Sequence, residues 1–223
     1  MDWIELGNPY VRRSAQEYAP IKWPTGEKVS LPEIDGTNFT PFFDLFQKSR
    51  TRRDFAPLSP QMIGVFLSLT ARTQQIGSAH LGFPLSRRPA PSSGAIHPIH
   101  TLILSPSSNI WQRYDPLLHA LVTIPTTVSA LEVRNAMEEI VPAPMATLLI
   151  FAAEPGMTAA KYGDHCSLVW RDAGILQGCM ALCAEALGLA FCLLGKTGDP
   201  WIARLLKQRE LAGVGAAFVG LVP

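Results

Sequence analysis

Charge is scarce in this sequence. Only 17% of the 223 residues are charged, and 19 Lys+Arg nearly cancel 18 Asp+Glu, leaving a formal net charge of +1. A broad nucleic-acid footprint is thereby excluded, because counterion release needs many cations on one face. An anion site confined to one loop remains compatible. The four cysteines, Cys166, Cys179, Cys183 and Cys192, form no C-x-x-C pair, and no second cluster offers zinc spacing. Their neighbours are apolar, which reads as buried reduced thiols. No basic stretch followed by an apolar run opens the chain, so no secretion signal is expected. The most membrane-like run, Ala173 to Gly195, is interrupted by Gln177 and Glu185 and reads as a buried helix entering a strand. A cytoplasmic protein is expected. There is no G-x-G-x-x-G, no G-x-S-x-G elbow, no P-loop, no internal repeat and no low-complexity tract.

Apolar residues, by contrast, make up 48% of the chain, with five Trp and ten Phe. Such a chain is not disordered, and its length can bury a substantial core. Little charge beside much apolar surface points to area hidden in an interface. Residues 1–40 carry Pro9, Pro20, Pro24 and Pro32 and read as an extended N-terminal arm; residues 41–223 read as one domain. Helices are expected from Pro41 to Lys48, from Pro60 with Ser59 as N-cap, from Ser129 to Ile140, from Tyr162 to Leu187 and from Asp199 to Leu206. Strands are expected at His100–Leu104, Trp111–Tyr114, Ala120–Ile124, Met145–Ala153, Ala190–Leu194 and Val214–Val222. The fold class is α+β, a mostly antiparallel sheet flanked by helices. At about 1.5 Å per residue the fourth helix would span nearly 40 Å, more than the domain's own core needs.

Four segments can carry chemistry. Lys48-Ser49-Arg50-Thr51-Arg52-Arg53 packs four cations and two hydroxyls into six residues, which suits either a phosphate clamp or a solvated basic turn. Pro91-Ser92-Ser93-Gly94-Ala95-Ile96-His97-Pro98 is a stiff loop of small residues that admits a flat ligand, or an ordinary entry into a strand. Lys161 and Tyr162 are candidate proton carriers if they sit at the loose edge of the helix, where adjacent side chains can face one site. Leu194-Gly195-Lys196-Thr197-Gly198 is a strand-to-helix turn with backbone donors and one cation. His97 and His100 form H-x-x-H, but residues three apart on an extended segment face opposite sides and no third ligand follows, so no metal is expected.

The order of these segments is more specific than any one of them. Arg50-Thr51-Arg52-Arg53-Asp54-Phe55 resembles the R-[ST]-x-R-x-F opening of the nitroreductase superfamily of FMN-dependent flavoproteins. Pro91 to Pro98 resembles the P-S-[AS]-G-A-x-[HY]-P loop of its SagB-type thiazoline/oxazoline dehydrogenases. Lys161-Tyr162-Gly163 is similar to that branch's K-Y-G, and Arg171-Asp172-Ala173-Gly174 to its [ED]-A-G step. Gly188-Leu189 with Leu194-Gly195 matches the helix end and the flavin-contacting turn. The likeness covers roughly residues 20 to 223.

The resemblance implies a homodimer with FMN at the subunit interface, in a domain-swapped style. By position, Arg50, Thr51 and Arg53 would hold the FMN phosphate and ribityl chain, with Lys196 a further contact. Pro91, Ser92 and Ser93 would lie against the isoalloxazine, and Leu194 and Gly195 would meet its edge. Lys161 and Tyr162 match the catalytic pair. The implied activity is oxidation of azolines to azoles in a ribosomally made peptide, beside a cyclodehydratase partner, in the cytoplasm. Two alternatives stay open: an NAD(P)H-dependent nitroreductase or quinone reductase, and a flavin-poor scaffold subunit of a modifying complex. Ser49, Ile175 and Gly178, which depart from the branch pattern, speak for the scaffold.

Overall fold

The computed structural model describes residues 4–33, 41–106, 108–206 and 211–223; residues 1–3 and 34–40 of the expected arm lie outside the described residues. The chain opens with two short strands, β1 (Tyr10–Val11) and β2 (Lys28–Ser30). Two helices follow, α1 (Phe42–Lys48) and α2 (Pro60–Ala71). The start of α2 is set locally: Ser59 Oγ accepts from the Met62 amide at 3.2 Å, and Pro60 fills the first turn where no donor is needed. A small hairpin, β3 (Gln75–Ile76) and β4 (Ser86–Arg87), then leads into the long strands β5 (Ile99–Leu104), β6 (Trp111–Asp115) and β7 (Ala120–Ile124).

Beyond these lie α3 (Ala130–Glu138), β8 (Thr147–Ala153), α4 (Pro155–Ala159), β9 (Tyr162–Gly163) and α5 (Cys166–Ala186). The chain finishes with β10 (Leu189–Leu194), α6 (Trp201–Leu205) and β11 (Ala212–Leu221). Seven strands form one sheet in the order β10-β11-β8-β5-β6-β7-β2, antiparallel at every neighbouring pair. This is the expected α+β architecture, a nitroreductase-like antiparallel sheet with helices on its faces.

β8 lies near the middle of the sheet and is buried along its whole length, as its unbroken apolar run requires. Its side chains alternate between two cores. Leu149, Phe151 and Ala153 join Phe66 and Leu67 of α2 and Ala173, Leu176 and Met180 of α5 on one face. Leu148, Ile150 and Ala152 join Val133 and Met137 of α3 and Ile202 and Leu205 of α6 on the other.

One expected boundary is corrected. The helix expected from Tyr162 begins at Cys166, because Tyr162 and Gly163 pair antiparallel with Val11 and Tyr10 and Asp164 turns to φ +48°. The shortened α5 has 21 residues, about 31 Å at 1.5 Å each. It stops where Gly188 takes φ +68°, the left-handed turn that glycine adopts without steric cost. The N-terminal segment packs on its own domain. β2 is the edge strand beside β7, Ile21 and Leu31 are buried in the two cores, and β1 holds β9.

Candidate functional site

The Pro91–Pro98 loop is bent by three left-handed residues within four positions. Ser93–Ala95 make a single 3₁₀ turn in which Gly94 has φ +65°, and Ala95 and His97 also take positive φ, +58° and +53°. A left-handed non-glycine residue costs about 1–2 kcal/mol, so the loop persists only because its surroundings fix it. The chief clamp is Asp172, buried in the first half of α5. Its carboxylate accepts from Ser92 Oγ at 2.6 Å, Ser93 Oγ at 2.9 Å and the Ser93 amide at 3.0 Å. Ser92 Oγ in turn accepts from the His97 amide at 2.9 Å. His97 Nε2 donates to the Ser86 carbonyl at 2.9 Å, and burial drives its pKa down to about 4, so the ring is neutral at pH 7.

Ile96 anchors the loop from below. It is buried in a small cluster with Leu81, Phe83, Met157 and Ala160, against which Tyr162 also packs. Burying a side chain of this size stabilises by about 1.5–3 kcal/mol. The same cluster carries the chain from α4 into β9, so one hydrophobic contact fixes both the loop and the Lys161–Tyr162 step.

Lys161 and Tyr162 then meet the loop at Gly94. A Cβ at Gly94 would lie 2.9 Å from Tyr162 Oη and 3.0 Å from Lys161 Nζ, so both polar tips occupy the space a side chain would need. Lys161 Nζ also lies 5.4 Å from the Tyr162 ring centroid. Both residues precede α5, so the 100° divergence of helical neighbours does not apply to them. β1 holds the step on its other side: the Arg12 amide donates to the Lys161 carbonyl at 2.9 Å, and Arg12 Nε to the Ala159 carbonyl at 2.9 Å.

The basic segment lies elsewhere, against β10 and the C-terminus. Arg50, Thr51, Arg52 and Arg53 line a hollow of about 570 Å³ with Val222 and Pro223. An adjoining hollow of about 260 Å³ is walled by Ser49, Arg50 and Thr51 with Phe191 and Leu193. Arg52 is tied down, its amide to the Phe191 carbonyl and its guanidinium to Glu185 at 2.8 Å, while its Nε is buried without an acceptor among the described residues. Arg53 reaches the Cys192 thiol, whose pKa burial raises and the guanidinium partly restores.

The remaining sequence candidates are placed as follows. Leu194 is buried in the core under α3 and α6, whereas Leu193 is exposed and lines the hollow beside Arg50. Gly195 is exposed at the strand end. Lys196 turns away from the arginine segment: its amine donates to the Ala136 carbonyl of α3 at 3.0 Å and sits 4.0 Å from Glu139. His97 and His100 serve different partners, since His100 Nε2 donates to buried Glu154 at 2.8 Å.

Sequence reasoning assigned no role to Asp172, Arg88, Arg113 or Glu154. Asp172 stands 80 residues from Ser92, and no local pattern links them. Glu154 is fully buried and accepts from the Ile21 amide at 2.6 Å as well as from His100, which fastens the N-terminal segment to the end of β8.

A family profile described as the Nitroreductase family matches residues 49–220. No curated protein matches the chain. Among solved structures, a nitroreductase-assigned protein from Ralstonia eutropha superposes with a TM-score of 0.65 at 16% identity, over 94% of this chain and 98% of that one. A chain of the E. coli microcin synthetase McbBCD complex, with truncated pro-MccB17 bound, matches with a TM-score of 0.61 at 20% identity, over 86% of this chain and 76% of that one. A nitroreductase-assigned protein from Anabaena variabilis gives 0.59 at 16% identity, over 86% of this chain and 40% of that one. At these identities the likeness is one of fold.

Proposed function

The chain belongs to the nitroreductase family, and on that premise we propose that it is an FMN-dependent dehydrogenase that oxidises thiazoline or oxazoline rings to azoles in a ribosomally made peptide. The observation that carries this reading is the convergence of Lys161 Nζ and Tyr162 Oη on Gly94 of the Pro-Ser-Ser-Gly loop. Aromatising an azoline removes a hydride from one ring carbon and a proton from its neighbour. A reductase fed by a nicotinamide hydride has no need of a carbon-acid base, whereas this pair supplies two atoms able to hold the proton.

The residues present fit FMN. Arg50 and Arg53 are exposed and, among the described residues, make no ion pair, and Arg52 Nε is a buried donor without an acceptor. With the Thr51 hydroxyl, these guanidinium forks match the oxygens of a phosphate. In this reading Arg50, Thr51 and Arg53 hold the phosphate, Pro91, Ser92 and Ser93 flank the isoalloxazine, and Leu194 and Gly195 meet its edge through backbone groups. When bound, FMN would supply the hydride acceptor, with dioxygen as the terminal oxidant. Asp172 keeps the loop in its strained shape, so the ring-facing residues need not reorganise during turnover. Whichever of Tyr162 and Lys161 is unprotonated takes the proton from the azoline carbon and releases it to solvent.

A second copy of the chain completes the proposed assembly. Phe42, Phe43 and Phe46 of α1 and Trp170 and Ile175 of α5 are exposed, a large apolar surface for a single chain. A peptide substrate and a cyclodehydratase partner are supported by the likeness to a chain of a microcin synthetase complex bound to its truncated pro-form.

The test is an absorbance spectrum of the purified protein, then anaerobic additions. A flavin band that NADH and NADPH leave unchanged, but that an azoline peptide bleaches with loss of two hydrogens from the peptide, is the expected result. Rapid bleaching by nicotinamide without azoline oxidation would make the protein a reductase. No flavin band after soaking with FMN would make it a scaffold.

A further inference from the structure

A cavity of about 110 Å³ lies between the Pro91–Pro98 loop, the end of α2 and strands β5 and β6. Two guanidiniums line it. Arg113 is balanced, donating to Asp115 at 3.2 Å, although its Nε is buried without an acceptor among the described residues. Arg88 feels the charge of Asp115 but makes no ion pair with it. Its Nε donates to Ser86 Oγ at 3.1 Å, and no carboxylate among the described residues pairs with it.

Most of the other polar groups at the wall already have partners. Asp172 gives both carboxylate oxygens to Ser92 and Ser93. The Nε2 hydrogens of His97 and His100 go to the Ser86 carbonyl and to Glu154, and burial lowers the pKa of both rings, that of His97 to about 4, which keeps it neutral. Burial also lowers the Arg88 pKa to about 10, which leaves it charged at neutral pH in a desolvated position. The Thr101 hydroxyl, which has no partner among the described residues, adds a neutral donor.

We propose that this cavity binds a monocarboxylate, held by the Arg88 guanidinium with Arg113 and Thr101 beside it. The Arg88 guanidinium makes no ion pair among the described residues, and its planar fork matches a carboxylate. Ala71, Ala90, Ile99 and Leu176 make the rest of the wall apolar, so the acid carries a small apolar body. The volume falls below the roughly 300 Å³ at which pockets for larger ligands begin, so this is not a place for a tricyclic ring. The proposal does not depend on the azoline reading. The carboxylate comes either from a free small acid or from the end of a peptide.

Fluorine NMR of para-fluorobenzoate with the full-length protein tests it, with and without FMN, beside N-acetylglycine and its uncharged amide followed by competition. Saturable binding of an acid, no binding of the amide, and a loss of about tenfold or more in Arg88→Met are expected. Arg87→Met, altering the exposed neighbour, should bind as wild type does. If Arg88→Met fails to fold, Arg88→Lys, which keeps the charge and loses the fork, must weaken binding several-fold. Binding of fluorobenzoate alone assigns a free acid, and binding of N-acetylglycine assigns a peptide end. Failure of both acids to bind, unchanged binding in the Arg88 variants, or binding confined to the FMN-free protein would each overturn the proposal.

Discussion

Ser92 Oγ donates to the Asp172 carboxylate at 2.6 Å, across 80 residues of sequence. With the two bonds from Ser93, this contact fastens the loop at the candidate site to the central helix. Asp172→Ala leaves two hydroxyls and one amide without their acceptor. A loss of about 1.5–3 kcal/mol is expected, with Tm lower by roughly 2–4 °C per kcal/mol. Azoline oxidation should fall further than stability does. Thermal melts and turnover on the same preparations check both, and an unchanged Tm would show that the clamp does not hold the loop.

Gly94→Ala adds a methyl group where Tyr162 Oη and Lys161 Nζ already stand, at a backbone φ of +65°. The backbone term alone is about 1 kcal/mol. The displaced pair should lower turnover at least about tenfold, since misplacement by a fraction of an ångström degrades proton transfer. Lys161→Ala and Tyr162→Phe should abolish azoline oxidation while leaving bound flavin unchanged. Full turnover in either would remove the pair from the mechanism.

Within the basic segment, neighbouring arginines should behave differently. Arg50→Ala with Arg53→Ala should lower FMN occupancy and leave the Tm of the apoprotein nearly unchanged, because neither exposed residue makes an ion pair among the described residues and Arg53 loses only its contact with the Cys192 thiol. Arg52→Ala should lower Tm, because its half-buried bridge to Glu185 is worth about 1 kcal/mol or less and its stem packs at the strand edge. A flavin spectrum and a melt of each variant separate these roles, and a double variant as yellow as wild type would refute the phosphate assignment.

Acid should destabilise the loop region through His97. Its pKa is about 4 in the folded chain against 6.5 ordinarily, so between these values the unfolded chain binds more protons. Stability from the neutral ring is therefore complete above pH about 6.5 and is lost as the pH falls toward 4, by up to about 1.4 kcal/mol per pH unit. His97→Gln, which keeps a donor for the Ser86 carbonyl, should flatten that slope in urea melts taken across this range. An unaltered slope would mean that His97 titrates normally in the folded protein.

How much of this was legible in the residues follows from the range of the forces involved. The α2 start was readable because Ser59 and Pro60 act within one turn, and β8 because a run buried on both sides must be apolar throughout. The order of the Arg50, Pro91 and Lys161 segments was readable as a family likeness, and the match over residues 49–220 bears out the family. The start of α5 was not readable, because Tyr162 and Gly163 leave the helix to pair with β1, some 150 residues earlier. The bond from Lys196 to the Ala136 carbonyl was not readable either, because only the packed position of α3 brings the two together. The sequence by itself determined the main helices, six of the seven strands of the large sheet, the antiparallel α+β class and the family, through periodicity, caps and local motifs. Tertiary structure alone decided which polar groups meet: Asp172 with Ser92, Lys161 and Tyr162 with Gly94, and Arg88 facing a cavity with no ion pair among the described residues. Those meetings depend on where separate elements lie once the two cores have closed on the sheet, and that placement leaves no local trace along the chain.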